Sequence, residues 1–426
     1  MGLIRFQQIL RYLHCADNSK DSGEDDLFKV RDLLSMLNRN CQRMWTPSCI
    51  LAIDEMDIGF RGKHKHKQRI TFKKTGDGFL VFALCDSAGY VFAFFVKFDT
   101  QWCRNIEGLC ASHSVVLALV DILLEHNPLY KYGELYADNF YSSYELAEAL
   151  FRRNIFYCCT ARKGRVPRTL SLPDDAPVNS FVQLHRQNTT VVRWRVKPSK
   201  DVLMITTAHR PVTATTKTKR RARFNDASQT YEYVYEQEFT LNCANDYNMN
   251  MNLVDIADQI RGYFTTRRRT RKWWHRFFFF CLDTAACNSY VAYKTYWEAE
   301  NEGKENEDKR KVLTHRQFNH RLAEEYNSGS RKRQRSLSMT SRSASMAKVW
   351  KARRLSIPDV HPEVKRYLTV HRLKHLDHYP GGGRQQRKCG YCIKDRNSSK
   401  TTYICTGCDT GFHPECFFHY HTGGEE

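Results

Sequence analysis

Apolar positions in the first 160 residues alternate between two periods, and each switch marks an element. Residues 3–14, LIRFQQILRYLH, set Ile4, Phe6, Ile9, Leu10 and Leu13 near one face at helical spacing, and LFKVRDLLSML at 27–37 repeats that pattern. After Pro47 the chain turns strand-like in LAIDEMDIGFRG (51–62), where Asp54 closes a short apolar run. FLVFALC (79–85) and YVFAFFVKF (90–98), aromatic and β-branched, flank DSAG and predict a hairpin. An apolar helix over 115–124, a short strand from Gly133 ending on Asp138, a helix over 142–152 and a strand over 155–160 complete a mixed α/β order.

Beyond Arg162 the pattern breaks into short β-like pieces, TVVRWRV and DVLMITTA, split by the basic run KTKRRAR at 217–223. Helical spacing returns over 252–264 and 273–297, joined through RRRTRKWW. From about Gly303 the chain is polar, basic and Ser-rich, which gives it too little apolar surface to offset chain entropy. The expected organisation is therefore a helical segment (1–48), the first part of an α/β domain (49–160), a β-rich insertion (161–240), the second part of the domain (241–300), a basic linker (301–385) and a Cys/His-rich end (386–426).

Charge changes the picture. A formal net charge of +21 points to a polyanionic partner, with nucleic acid first, and 13% aromatic content adds stacking surface. Candidate phosphate contacts are Lys219, Arg220 and Arg221 in the insertion, and Arg267, Arg268, Arg269, Arg271 and Lys272 between the last two helices. RKRQR at 331–335 fits a nuclear localisation patch. With no apolar run of about 18 residues and no cleavage site after the opening helix, the expectation is an intracellular protein that does not enter a membrane. Eleven of the 16 cysteines are scattered through the first 290 residues and read as reduced thiols; the other five crowd the end.

An acid pinned at the end of a buried strand is costly unless a metal or hydrogen bonds compensate it. Three such places occur: Asp54, Asp138, and Asp255 with Asp258, which lie three apart and share a helix face. Helix capping is the competing reading for Asp138, since DNFYSS leads into a helix. Convergent carboxylates suit two Mg²⁺ ions about 3.5–4 Å apart, which serve in-line attack on a phosphodiester. This is the layout of an RNase H-like nucleotidyltransferase.

RFQQILRYLHCADN, DEMDIGFRGKHKHKQ, CDSAGYV, YADNFYSSYELAEAL, VDIADQIRGYFTTRRRTRKWWHRFFFFCLD and NSYVAY resemble, in order, the blocks of piggyBac-type transposases and their domesticated relatives. The resemblance covers Arg5 to about Lys294 and resumes at the C-terminus. It implies an RNase H-like catalytic domain with a β-rich insertion, and Mg²⁺-dependent DNA cleavage and strand transfer at TTAA sites. Asp54, Asp138 and Asp255 would be its acids, with Asp258 assisting, in a homodimer on double-stranded transposon ends in the nucleus. Departures are Leu253, where the family commonly has Gly, Lys74–Thr75, where it has a lysine–proline pair, and family N-terminal sequence that this chain appears without. The alternative is a domesticated DNA-binding or chromatin protein that does not cut; a histone-tail reader ranks third.

The end of the chain reads Cys389-x₂-Cys392-x₁₂-Cys405-x₂-Cys408-x₄-His413-x₂-Cys416, followed by His419 and His421. Paired Cys-x₂-Cys units in a reduced protein signal zinc, which takes four S or N ligands tetrahedrally. Similarity to the RING/PHD-like end of piggyBac-type transposases implies a cross-braced pair of sites. One would use Cys389, Cys392, His413 and Cys416; the other Cys405, Cys408, His419 and His421.

Overall fold

A computed structural model describes residues 2–70, 76–99, 109–128, 130–225, 229–301 and 311–329, and four short strands beyond them. The chain divides into two units, Met1–Thr340 and Ser341–Glu426. In the first, α1 (Leu3–Tyr12) and α2 (Arg31–Met44) precede β1 (Ile50–Gly59), β2 (Gln68–Ile70), β3 (Gly76–Asp86) and β4 (Val91–Val96). Then follow α3 (Ala111–His126), β5 (Gly133–Ala137), α4 (Tyr144–Phe151) and β6 (Ile155–Thr160). Five strands come next: β7 (Phe181–Arg186), β8 (Thr189–Lys197), β9 (Lys200–Thr206), β10 (Ala214–Asn225) and β11 (Thr230–Leu241). Four helices close the unit: α5 (Asn242–Asn250), α6 (Leu253–Tyr263), α7 (Trp273–Glu300) and α8 (His315–Gly329).

Nine of the described strands form one mixed sheet in the order β2-β3-β1-β5-β6-β9-β8-β7, with β4 also alongside β3. The centre is parallel, β1 with β5 and β5 with β6, while β3 and β9 join antiparallel on either side. Parallel neighbours need crossovers, and the apolar helices α3 and α4 supply them, burying Val115, Val116, Leu119, Leu146 and Leu150. The β3–β4 turn holds two further devices. Asp86 is fully buried yet satisfied, accepting from the Trp45 indole (2.9 Å) and the N–H groups of Ser48 (3.1 Å), Ala88 (3.1 Å) and Tyr90 (3.2 Å). Gly89 adopts φ +76°, and a Cβ there would sit 3.2 Å from Ile256 on α6, so glycine serves both the turn and the approach of that helix.

Among the described residues β4 pairs only with β3, and two asparagines close its other side. Asn38 on α2 exchanges hydrogen bonds with both backbone groups of Phe94 (2.7 and 3.0 Å), and Asn288 on α7 does the same at Val91 (2.8 and 3.0 Å). The side-chain amides thus stand in for a further strand and dock both helices on the sheet.

Some expectations shift. The helix expected over 27–37 starts later, at Arg31, because Asp25 accepts from the Leu27 N–H (2.9 Å) and from Arg31 (2.9 Å) and holds the preceding residues in a turn. β7–β9 extend the main sheet through β6, whereas β10 and β11 form a two-stranded ribbon. The stretch expected as linker contains α8, where His315 stacks on Tyr290 (4.6 Å) and Phe318 lies against Tyr290 and Tyr293. All described cysteines between Cys15 and Cys287 are free thiols. No helix among the described residues is long and apolar enough to cross a membrane.

In the second unit the described strands are β12 (Leu373–His375), β13 (Arg387–Lys388), β14 (Lys400–Thr401) and β15 (Tyr403–Cys405), pairing β12 with β15 and β13 with β14. Cys405 is described only as the last residue of β15. The other expected zinc ligands, Cys389, Cys392, Cys408, His413, Cys416, His419 and His421, lie outside the described residues, as do Lys74–Thr75 and RKRQR.

Candidate active site

Register places the first two acids. The parallel β1–β5 pairing ends at Ile53 opposite Ala137, so the next residues, Asp54 and Asp138, leave the pair side by side at its carboxyl end. Asp54 does not end β1 as the sequence suggests: the strand runs on to Gly59 against β3, with Asp54 opposite Ala83. It ends only the parallel part, where β5 gives way to the loop that carries Asp138.

Electrostatics ties the third acid to this pair. Burial, a hydrogen bond to Glu55, the Glu55 charge and the Asp255 charge push the Asp54 carboxyl up to about 8. Asp138 is raised as well, by burial and then by Asp54, against the lowering effect of the Phe140 N–H, which it accepts at 2.7 Å. Asp255 stands in the first turn of α6, where the helix dipole favours a carboxylate, and α6 packs over β1 and β3 with Leu253, Val254 and Ala257 buried. Raised carboxyls brought close together mark a candidate functional site.

Two neighbours were not singled out in the sequence. Glu55 donates its backbone N–H to Asp54 Oδ1 at 2.8 Å, and its carboxylate, which accepts from the Tyr141 hydroxyl at 2.8 Å, helps to raise Asp54. Arg261 meets Asp258 at 2.5 Å, donates to the Asp57 carbonyl at 3.0 Å and lies over the Phe280 ring. Asp258 thus has a guanidinium beside it, unlike Asp54. The capping alternative for Asp138 fails: Ser143 is the α4 N-cap, accepting from the Leu146 N–H at 3.1 Å, while Asp138 braces only the turn before it. Arg162 on Asn139 (2.9 Å) and Arg165 on the carbonyls of Phe140 (2.9 Å) and Ser142 (2.6 Å) pin that turn.

The basic loop leaves the far end of α6. Arg267, Arg268, Arg269, Arg271 and Lys272 are all exposed. Beneath them, Asp283 on α7, 3% exposed, accepts from the Thr265 hydroxyl (2.6 Å) and from the Thr266 hydroxyl (2.6 Å) and N–H (2.8 Å). Lys272 reaches the Arg11 carbonyl at the end of α1 (2.9 Å) and lies over Trp274, which is buried while Trp273 is half-buried. In the ribbon, by contrast, Lys219 pairs with Glu238 (3.3 Å) and Arg221 with Glu236 (3.0 Å), so both of these candidate phosphate contacts already have carboxylate partners. Arg220 points to the opposite face and lies over Tyr233.

A model of the family Transposase IS4 matches residues 1–290. The chain belongs to this family. It is similar to human PiggyBac transposable element-derived protein 3, 23% identical over 423 residues, which cover 98% of this chain and 63% of that protein. Human PiggyBac transposable element-derived protein 2 is 24% identical over 200 residues, 47% of this chain and 32% of its own. The chain therefore spans less than two thirds of the curated relatives it matches. Among solved structures, the piggyBac transposase in a cryo-EM synaptic complex with hairpin DNA superposes with a TM-score of 0.63 at 20% identity, covering 98% of this chain and 80% of that one; it shares the fold.

For a Transposase IS4 chain the question is whether the acids suit a metal. Their chemistry fits a hard divalent cation, which prefers carboxylate oxygens: Asp54 and Asp138 are both raised, chiefly by burial, even though the Arg162 charge acts on Asp138. Among the described residues no three His, Cys, Asp or Glu side chains already close around one point.

Proposed function

We propose that this chain is a DNA transposase of piggyBac type, cutting a DNA strand and transferring it at TTAA sites, on an RNase H-like domain. The observation that carries the reading is Asp54: its register neighbour is Asp138, which it raises, and Asp255 on α6 acts on it electrostatically. Asp54, Asp138 and Asp255 would hold two Mg²⁺, which when bound supply Lewis acidity to the attacking and leaving oxygens of a phosphodiester.

The chain's own residues set the stage. Strand register fixes the spacing of Asp54 and Asp138, and the Arg162 and Arg165 contacts hold the turn that follows Asp138. Glu55, held by Tyr141, steadies Asp54 through its backbone N–H. Asp258, clamped by Arg261, positions the turn of α6 that presents Asp255. The exposed arginines from Arg267 to Arg271 are suited to phosphates, which they meet bidentately.

A homodimer in the nucleus, acting on duplex DNA with TTAA-flanked terminal repeats, completes the reading. One solved structure that shares the fold is a transposase in a synaptic complex with hairpin DNA, and RKRQR supplies a basic address. Zinc at Cys389, Cys392, His413 and Cys416, and at Cys405, Cys408, His419 and His421, is proposed on spacing. Elemental analysis should then return zinc that mutation of Cys389 and Cys405 removes; a metal-free protein would refute it.

The test is incubation of purified protein with labelled duplex carrying TTAA-flanked terminal repeats and Mg²⁺. Asp54→Asn, Asp138→Asn and Asp255→Asn should abolish nicking, whereas Asp258→Asn should leave activity lowered about 10–100-fold, as for groups that orient a metal ligand. All four should still bind the duplex. The second reading, a DNA-binding protein that does not cut, is favoured by the human relatives being transposable element-derived proteins. Binding without nicking by the unmodified chain would decide for it.

A further inference from the structure

The β10–β11 ribbon has two unlike faces. Cross-strand partners share a face, so the register sorts the residues. On one side Lys217, Lys219, Arg221 and Arg223 alternate along β10 opposite Glu238, Glu236, Val234 and Glu232. This side is interlaced by ion pairs: Lys217–Glu238, Lys219–Glu238, Arg221–Glu236 and Arg223–Glu236. On the other side Thr218, Arg220, Ala222 and Phe224 face Gln237, Tyr235, Tyr233 and Tyr231. Every glutamate of the ribbon lies on the first side.

That second face carries large rings in the open. Tyr231 is 70% exposed, Tyr233 59%, Tyr235 67% and Phe224 46%. A cation stands among them, with the Arg220 guanidinium 4.3 Å from the centre of the Tyr233 ring, and Phe224 meets Tyr231 edge-on. An acid-free face of tyrosines with an arginine suits a flat, electron-rich, anionic partner. Same-face side chains along a strand lie about 6.8 Å apart, roughly twice the 3.4 Å rise of stacked bases, so successive rings leave room for a base between them. Duplex DNA keeps its base faces covered by stacking. A second copy of the ribbon would set Arg220 against a like charge and bury the tyrosine hydroxyls.

We propose that the Tyr231–Tyr233–Tyr235 face of the β10–β11 ribbon, with Arg220, is a stacking platform for the unpaired bases of single-stranded DNA. Rings supply sequence-tolerant contact, the arginine supplies cation–π contact and charge, and the ion-paired opposite face keeps the ribbon's own carboxylates away from the strand. The inference rests on the DNA reading above, since strand cutting is what would deliver an unpaired strand.

Fluorescence anisotropy on the full chain tests it, with a fluorescein-labelled oligothymidine and a duplex of equal length as probes. Tyr233→Ala and Tyr235→Ala are each expected to weaken oligothymidine binding about tenfold, within the usual worth of one base–ring stack, and to leave duplex binding unchanged. Tyr233→Phe and Tyr235→Phe, which keep the rings, should bind like the unmodified chain. Equal losses on both probes, no loss on oligothymidine, or a loss that tracks a fall in molecular mass by light scattering would each overturn the proposal. The last would assign this face to contact between copies. Duplex binding without oligothymidine binding refutes this inference alone; failure to bind either probe removes the transposase reading with it.

Discussion

Two aspartates on neighbouring strands, Asp86 buried and Asp54 half-buried, show how much environment decides. Asp86 collects four donors and needs nothing more, while Asp54, one strand away, is driven toward its protonated form by burial and by other carboxyls. Asp258 is an intermediate case, because the Arg261 guanidinium sits against it and both side chains are mostly buried, 13% and 16% exposed. Removing that guanidinium should be costly. Arg261→Ala is expected to lower stability by about 1.5–3 kcal/mol, the worth of a hydrogen bond to a charged group, and Arg261→Lys by less. Urea unfolding checks this, and an unchanged midpoint in Arg261→Ala would show that the pair contributes nothing. At this scale the sequence was readable for Asp54, Asp138 and Asp255, because acids that interrupt apolar runs stand out. Glu55 was equally visible in DEMD, but its bond to Tyr141 spans a separation of 86 residues and depends on how β1 and the turn after β5 meet. Local pattern holds no trace of that.

Among the elements, those written in apolar runs and almost wholly buried were legible, and those with a polar sequence were not. β3, β4, α3 and α4 follow the apolar periodicity closely. β10 is written KTKRRAR over most of its length and has no apolar alternation, since both its faces meet water and its partner strand supplies the order. α5, NCANDYNMN, is a poor helix former that folds because Cys243, Ala244 and Tyr247 bury against the sheet. The basic loop is the instructive case, because its arginines were conspicuous and its anchor was not. Asp283 reads as the polar end of an aromatic helix run, yet it accepts three hydrogen bonds from Thr265 and Thr266. Asp283→Ala should cost about 2–4 kcal/mol, in line with loss of a buried hydrogen-bond network. It should also make limited trypsin digestion cut between Arg267 and Lys272 at low enzyme, as seen by mass spectrometry. Unaltered cleavage there would mean that the loop is held by other contacts.

Over the whole molecule the net charge of +21 overstates what a polyanion meets, because charges are not equally available. Four of the ribbon's cations, Lys217, Lys219, Arg221 and Arg223, pair with glutamates, whereas those from Arg267 to Lys272 are exposed. Duplex binding should therefore weaken steeply with salt, and the slope of log affinity against log salt should fall by about 0.9 for each phosphate contact removed. Arg267→Ala, Arg268→Ala and Arg269→Ala are expected to flatten it in that way, and Lys219→Ala with Arg221→Ala to leave it nearly unchanged. Titrations between roughly 50 and 200 mM salt measure both, and a larger effect from the ribbon pair would reverse the assignment.

The arrangement of the acids also has a consequence in time. Asp54 and Asp138 belong to strands made early, but Asp255 sits on α6, which follows the whole β-rich stretch in the chain. Ribosomes deliver the N-terminal part first, at about 5–20 residues per second, and contacts between distant segments must wait for the later one. A nascent chain that has emerged only as far as β11 contains the first two carboxylates, yet lacks the third. Any cutting activity would be withheld until synthesis has passed α6, so that premature termination within the ribbon leaves an inert fragment, not an unregulated nuclease.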